Sequence, residues 1–168
     1  LELQKQLYAH IQASPQEIHY PEMLQWALLQ SKDYLGALRQ ARALDQMLGE
    51  NGSRIYQIGQ IAESAREWDA AIKAYEYITK EKGPQNSFYI ESKKEALACK
   101  RNKIKLSANS NTLQELQGLE RDYETFINEF GKNRSSAALI IEYAELEALY
   151  INNMPKAIKI LDELINLP

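Results

Sequence analysis

The sequence predicts an all-α protein, and three observations predict it. The 168 residues hold only 7 Gly and 5 Pro, too few for the many tight turns of a β fold. Apolar residues recur at three- and four-residue spacing along most of the chain, the period of a helix with one buried stripe. The chain also echoes itself. KDYLGALRQARAL and REWDAAIKAYEYI align so that Trp68 follows Tyr34, and Ala71 follows Ala37, by 34 residues. That is the spacing of a repeated helix pair.

Taken in order, residues 1–13 place Leu3, Leu7, Ile11 and the nearby Tyr8 on one helical face, and Ser14-Pro15 stops the helix. It reads as the trailing helix of a preceding repeat. The chain opens Leu1-Glu2-Leu3 with no initiator Met and no charged-then-apolar leader, so the expectation is a piece of a longer array. Pro21 is expected to open the next helix, where its missing N–H costs nothing. Leu24, Ala27, Leu28 and Leu29 form its apolar side, and Ser31-Lys32-Asp33 the turn. The partner helix, from about Tyr34 to Leu48, carries Ala37, Leu38, Ala41, Leu44 and Leu48. Gly49-Glu50-Asn51-Gly52 ends it with glycines suited to a left-handed turn.

The stretch from Gly52 to Pro84 reads as two short helices. The first presents Ile55, Ile58, Gly59 and Ala62; the second presents Trp68, Ala71, Ile72, Tyr75 and Ile78. Ser87 then caps a long helix running to about Leu106, and Ser107-Ala108-Asn109-Ser110-Asn111 is a polar break. Thr112 and Glu115 form a capping box. Leu113, Leu116, Leu119, Tyr123, Phe126, Ile127 and Phe130 make the stripe of the helix that follows, which Gly131 ends. Ser135 or Ser136 caps a further helix with Leu139, Ile140, Tyr143, Ala144 and Ala148. After the turn Asn153-Met154-Pro155 come Ala157, Ile158, Leu161, Leu164 and Ile165. Met154 stands 86 residues after Trp68, two periods plus 18 residues. Pro168 is another helix-end proline, and the array is expected to continue past it.

These residues resemble the tetratricopeptide-repeat superfamily, in the style of repeat proteins of bacterial envelopes. Gly59 falls where that family has a small residue at the closest approach of its two helices. Ala37, Ala71 and Ala157 fall at the small position of the second helix. Tyr34, Trp68 and Met154 take the position just after the turn, and Pro84 the helix-stopping site. The resemblance implies a right-handed solenoid of antiparallel helix pairs. Its parts are a trailing helix at 1–13, repeats at 18–51, 52–85 and 135–168, and an elongated irregular repeat at 86–133. It also implies a protein-interaction scaffold that takes a partner peptide or helix in its concave groove. The residues then expected on that face are His19, Glu22, Trp26, Gln30, Ser53, Tyr56, Gln60, Glu63, Glu142, Leu146 and Tyr150. The subtype that clamps a C-terminal carboxylate needs a lysine and asparagines there. Glu22, Trp26, Tyr56 and Gln60 do not supply them.

Composition narrows the remaining functions. No run of about 18 apolar residues is present to span a membrane. One cysteine allows no internal disulfide and no thiolate cluster. The two histidines, His10 and His19, the latter read in a loop before Pro21, form no metal-binding or nucleophile-activating motif. No cofactor, metal, small-molecule substrate or catalysis is therefore expected, and Cys99 reads as a packing residue. Glu142, Glu145 and Glu147 read as a solvated helix face. The net charge of −3 is uneven: residues 80–106 hold eight Lys and Arg against three Glu. Lys93, Lys94, Lys100, Arg101, Lys103 and Lys105 form a basic stretch, read first as a solvated face balanced by acidic flanks. The alternative is an electrostatic module for nucleic acid or an anionic surface. Nucleic acid is disfavoured because Phe88 and Tyr89 precede these charges instead of interleaving with them. A regulatory segment of a larger protein, and self-association through exposed apolar ends, are the other expectations.

Overall fold

The computed structural model of the chain describes residues 1–106 and 112–167. Every regular element among them is helical. In order they are α1 (Glu2–Ala13), α2 (His19–Gln30), α3 (Tyr34–Leu48), α4 (Ser53–Ser64), α5 (Trp68–Tyr77), α6 (Tyr89–Leu106), α7 (Thr112–Phe130), α8 (Ala137–Glu145) and α9 (Met154–Ile165). Two of them run on into π-helical turns, α5 through Ile78–Lys82 and α8 through Leu146–Ile151. The expected break at residues 107–111, the Thr112 side chain of the capping box and Pro168 lie outside the described residues. No described helix is long and apolar enough to cross a membrane.

The chain divides into two compact units, Leu1–Cys99 and Lys100–Pro168, and the boundary falls within α6. In the first unit the apolar stripes of α1 to α5 converge. Leu24, Leu44, Ile55 and Ile78 are fully buried, with Ala37, Ala41 and Ala74 filling the gaps between helices. A second cluster joins Ala62, Ala71 and Tyr75 to Ala96 and Cys99 of α6. Gly59 lies where α4 meets α5: a Cβ there would sit 2.8 Å from Tyr75 Cε1. The second unit buries Leu119, Tyr123 and Phe126 of α7, Ile140 and Tyr143 of α8, and Ala157 of α9.

One turn recurs with the 34-residue spacing. Lys32 and Arg66 both adopt left-handed φ of 61°. The next amide then reaches back five residues, Asp33 N to Leu28 O and Glu67 N to Ala62 O, both at 2.8 Å. Asn152 repeats the geometry in the second unit with φ of 60°. There the bond spans six residues, from Asn153 N to Glu147 O at 2.7 Å. The π-helical turn that ends α8 accounts for the extra residue. After each turn an alanine, Ala37, Ala71 or Ala157, is buried at the fourth helical position. The side chains of Asp33 and Asn153 cap α3 and α9 by accepting from Gly36 N and Lys156 N. Glu67 makes no such bond.

Several elements depart from the sequence reading. α2 begins at His19, two residues before Pro21; proline is tolerated anywhere in a first turn, whose amides have few helical acceptors. His19 is thus helical and not in a loop. The Ser136 hydroxyl faces back to Gly131 O, and Asn133 Oδ1 instead receives the amides of Ser135 and Ser136. Leu48 and Leu113, expected on buried stripes, are exposed, as are Ile158, Leu161 and Ile165 of α9.

Candidate partner-binding face

On α2 the spacing of His19, Met23, Trp26 and Gln30 puts four residues on one face, and all four are exposed. Trp26 is 61% and Met23 52% exposed, leaving a tryptophan and a methionine side by side in solvent. Both are large side chains left more than half exposed. Met23 was not singled out in the sequence, although its place three residues before Trp26 on the same face was readable. Glu22 flanks this face and lies 3.4 Å from Arg54 of α4, whose guanidinium is also held by Glu50 at 2.7 Å. That pairing holds Glu50 below the usual carboxylate range, the Arg54 hydrogen bonds being the main cause against an opposing effect of burial.

On α4 Gln60 is exposed, as expected, and Ser53 is half-buried. Tyr56 is not a free anchor. It is half-buried, stacks on Phe88 at 4.9 Å and meets Tyr75 at 5.6 Å, so its ring is already packed within the unit. Glu63 is likewise engaged, accepting from the Tyr75 hydroxyl at 2.7 Å. Around these rings Glu63, Glu91 and Glu95 come close enough to act on one another. Glu95 is pushed above the usual carboxylate range by burial first, then by Glu63 and Glu91. The buried Cys99 thiol is pushed up to about 12, by burial and then by Glu63 and Glu95. A thiol held neutral in this way is a packing group and a poor nucleophile.

In the second unit the candidates fare differently. Tyr150 is 39% exposed, on the π-helical turn. Leu146 is 2% exposed and is removed from the face, because it lies three residues after Tyr143 and seven after Leu139, on the buried stripe of the same helix. Glu142 is bound by Arg101 at 2.8 Å and accepts from Tyr123 at 3.3 Å. The reading of Glu142, Glu145 and Glu147 as one solvated face is also corrected: Glu145 is exposed, but Glu147 is wholly buried. It pairs with Lys156 Nζ at 2.8 Å, and the same ammonium meets Glu120 and Glu124. Burial pushes Glu147 upward, against the pull of Lys156. Lys156 itself is raised, because these carboxylates together outweigh its own desolvation.

The basic stretch is mostly engaged with acids and rings. Lys94 pairs with Glu91 at 3.0 Å, and Lys93 lies over the Tyr89 ring at 4.8 Å. In the second unit Lys100 pairs with Asp122 at 2.8 Å, Arg101 with Glu142, and Lys103 with Glu115 at 3.9 Å. Lys105 is exposed. Among the described residues no group of three His, Cys, Asp or Glu is placed to hold a metal ion.

Sequence reasoning missed the most buried ion pair of the first unit. Asp45, wholly buried, receives Lys82, the Gly52 amide at 2.8 Å and the Tyr77 hydroxyl at 3.4 Å. It therefore ties the end of α3 to the start of α4 and to the π-helical turn of α5. An aspartate near a helix end carries no sequence signal for such a role. Compared with known proteins, the chain matches no family model, and no curated protein matches its sequence.

Proposed function

We propose that this chain is a protein-interaction scaffold of tetratricopeptide-like antiparallel helix pairs, and that it acts by holding a partner peptide or helix against the exposed face of its first helices. The observation that carries the reading is the recurrent turn. Left-handed residues at Lys32, Arg66 and Asn152 are followed by buried alanines at Ala37, Ala71 and Ala157. The close approach of Gly59 to Tyr75 fits the same repeat. A pair built in this way buries one face against its neighbours and leaves the opposite face of each first helix for a partner.

The anchor of the binding face is Trp26 with Met23 beside it. Rigid aromatic area of this kind supplies binding energy with little entropy to lose. Tyr56 and Glu63 act behind the face as its packing. The paired state of Lys94, Lys100, Arg101 and Lys103 leaves less positive charge for an electrostatic module, so that reading stands second.

The test is affinity capture with wild-type protein and with a Trp26→Ala/Met23→Ala variant of unchanged circular dichroism. Partners that wild type retains through about 0.5 M salt, where exposed charge pairs are screened, and that the variant loses, support the scaffold. Partners that ignore the variant but vanish in salt would overturn it in favour of the basic stretch.

A further inference from the structure

Between α3 and α5, the second helices of their pairs, lies a trough of about 430 Å3. Leu35, Leu38 and the Tyr77 ring give it an apolar lining. Arg39 and Arg42 stand on the α3 wall, and Lys73 and Lys80 on the α5 wall. In the same unit α2 precedes α3, and the π-helical turn and the first part of α6 follow α5. The trough is therefore bounded by α3 and α5 themselves and not by an end of the chain.

Its charges do not cancel. Lys80 pairs with Glu76 on its own helix at 2.9 Å. Among the lining residues that leaves Arg39, Arg42 and Lys73 against Glu81, and all four are exposed. Among the described residues no carboxylate pairs with any of the three cations. The whole chain carries −3, so this local excess of positive charge runs against its average. Arg42 is also positioned: its guanidinium lies 4.6 Å over the Tyr77 ring, whose hydroxyl reaches the buried Asp45 at 3.4 Å. A guanidinium stacked in this way keeps its in-plane N–H groups for a carboxylate. Arg39 follows it on the same helical face, about 4.5 Å away along the axis.

The mixture of groups selects the kind of anion. Successive side chains of an extended peptide point to opposite sides, so neighbouring carboxylates reach cations on both walls. Glu76 and Glu81 accept hydrogen bonds, and the backbone amides of a peptide supply them. A phosphate or a phosphodiester backbone offers these two carboxylates only repulsion.

We propose that the α3–α5 trough binds an extended acidic segment of a partner protein, with carboxylates on Arg39, Arg42 and Lys73 and an apolar side chain against Leu35. The site is separate from the α2 face, and neither depends on the other.

Fluorescence anisotropy with a labelled peptide of Glu-Glu-Leu repeats tests this, at about 50 mM salt, where exposed charges are only partly screened. The wild-type chain is expected to bind with Kd between about 1 µM and 1 mM, and not to bind the same peptide with glutamine for glutamate. Arg39→Glu and Lys73→Glu should each weaken binding about tenfold, as expected when a complementary pair is turned into like charges. Arg42→Lys keeps the charge but loses the planar fork, and should weaken it by less. Lys105→Glu makes the same change of charge on an exposed lysine outside the trough and should leave binding nearly unchanged. The substituted residues are exposed, so the variants are expected to keep the wild-type circular dichroism, which is checked first. Arg39→Gln and Lys73→Gln replace any reversal that disturbs the fold. Absence of binding by the wild-type chain would overturn the proposal. A loss with Lys105→Glu equal to that with Arg39→Glu would also do so, by reducing the effect to overall charge. So would displacement of the peptide by lower concentrations of inorganic phosphate or oligothymidylate, which would make the trough a phosphate site.

Discussion

A methyl group on Gly59 would lie 2.8 Å from Tyr75 Cε1 and 3.0 Å from Cζ, closer than packed carbon atoms sit. Tyr75 is wholly buried and its hydroxyl is fixed on Glu63, so the ring has little freedom to retreat. Gly59→Ala is therefore expected to lower the unfolding free energy by about 1–3 kcal/mol through overpacking, although alanine is the better helix former. A urea titration showing no change or a gain would contradict this contact. Asp45 poses the opposite problem, a buried charge held by three donors. Asp45→Ala leaves Lys82 with the Glu50 carbonyl but without its carboxylate, and is expected to destabilise by about 3–5 kcal/mol. Adding Lys82→Met should recover part of that loss, because the uncompensated charge goes with it. A double variant no more stable than Asp45→Ala would mean that the Gly52 and Tyr77 bonds, and not the ion pair, carry the site.

At the level of elements, the π-helical turn ending α8 is a one-residue insertion in an otherwise repeated turn. The Asn153 to Glu147 bond spans six residues where its counterparts span five. Leu149 lies in the middle of the widened turn and is 72% exposed. Deleting Leu149 should convert the turn to the shorter form at a small cost, about 1 kcal/mol or less, as for changes at exposed positions. Deleting Gln57 from α4 should instead unfold the first unit, since every later residue of that helix would rotate by about 100°. Thermal unfolding of the two deletions separates these outcomes; equal losses would show that the π turn is required. The expected stripes of α2 to α5 were legible because their period is local. The outward turn of Leu48 and Leu113 was not, because periodicity names a face without saying how far along the helix a neighbour extends.

For the whole molecule, acid and base pull in different windows. Glu95 and Glu147 are raised by burial above the ordinary carboxylate value of 4.5, so the folded chain takes up their protons before the unfolded chain does. Stability from these two groups therefore increases as pH falls from neutrality toward that value. Glu50 and Glu124 are lowered, chiefly by hydrogen bonds from Arg54 and from Tyr143 respectively. Their contribution is present above 4.5 and is lost as pH falls through their folded values. Urea midpoints measured from pH 7 downward should thus hold or rise to about pH 5 and then drop. A steady decline over the whole interval would contradict the raised pair. Carbon-detected titration should likewise find Glu50 below, and Glu95 above, an exposed glutamate.

The helices, the 34-residue echo and the small positions Ala37, Gly59, Ala71 and Ala157 were determined by the sequence itself, because they depend on spacing within one or two turns. The exposure of Trp26 could be read in the same way. What only the tertiary structure decided are the partners of charges far apart in the chain. Asp45 with Lys82, Glu147 with Lys156, Arg101 with Glu142, and the burial of Tyr56 against Phe88 join residues whose distances in sequence follow no period. A carboxylate on a helix looks alike in sequence whether it meets water or an ammonium. The packing of a second helix chooses between them.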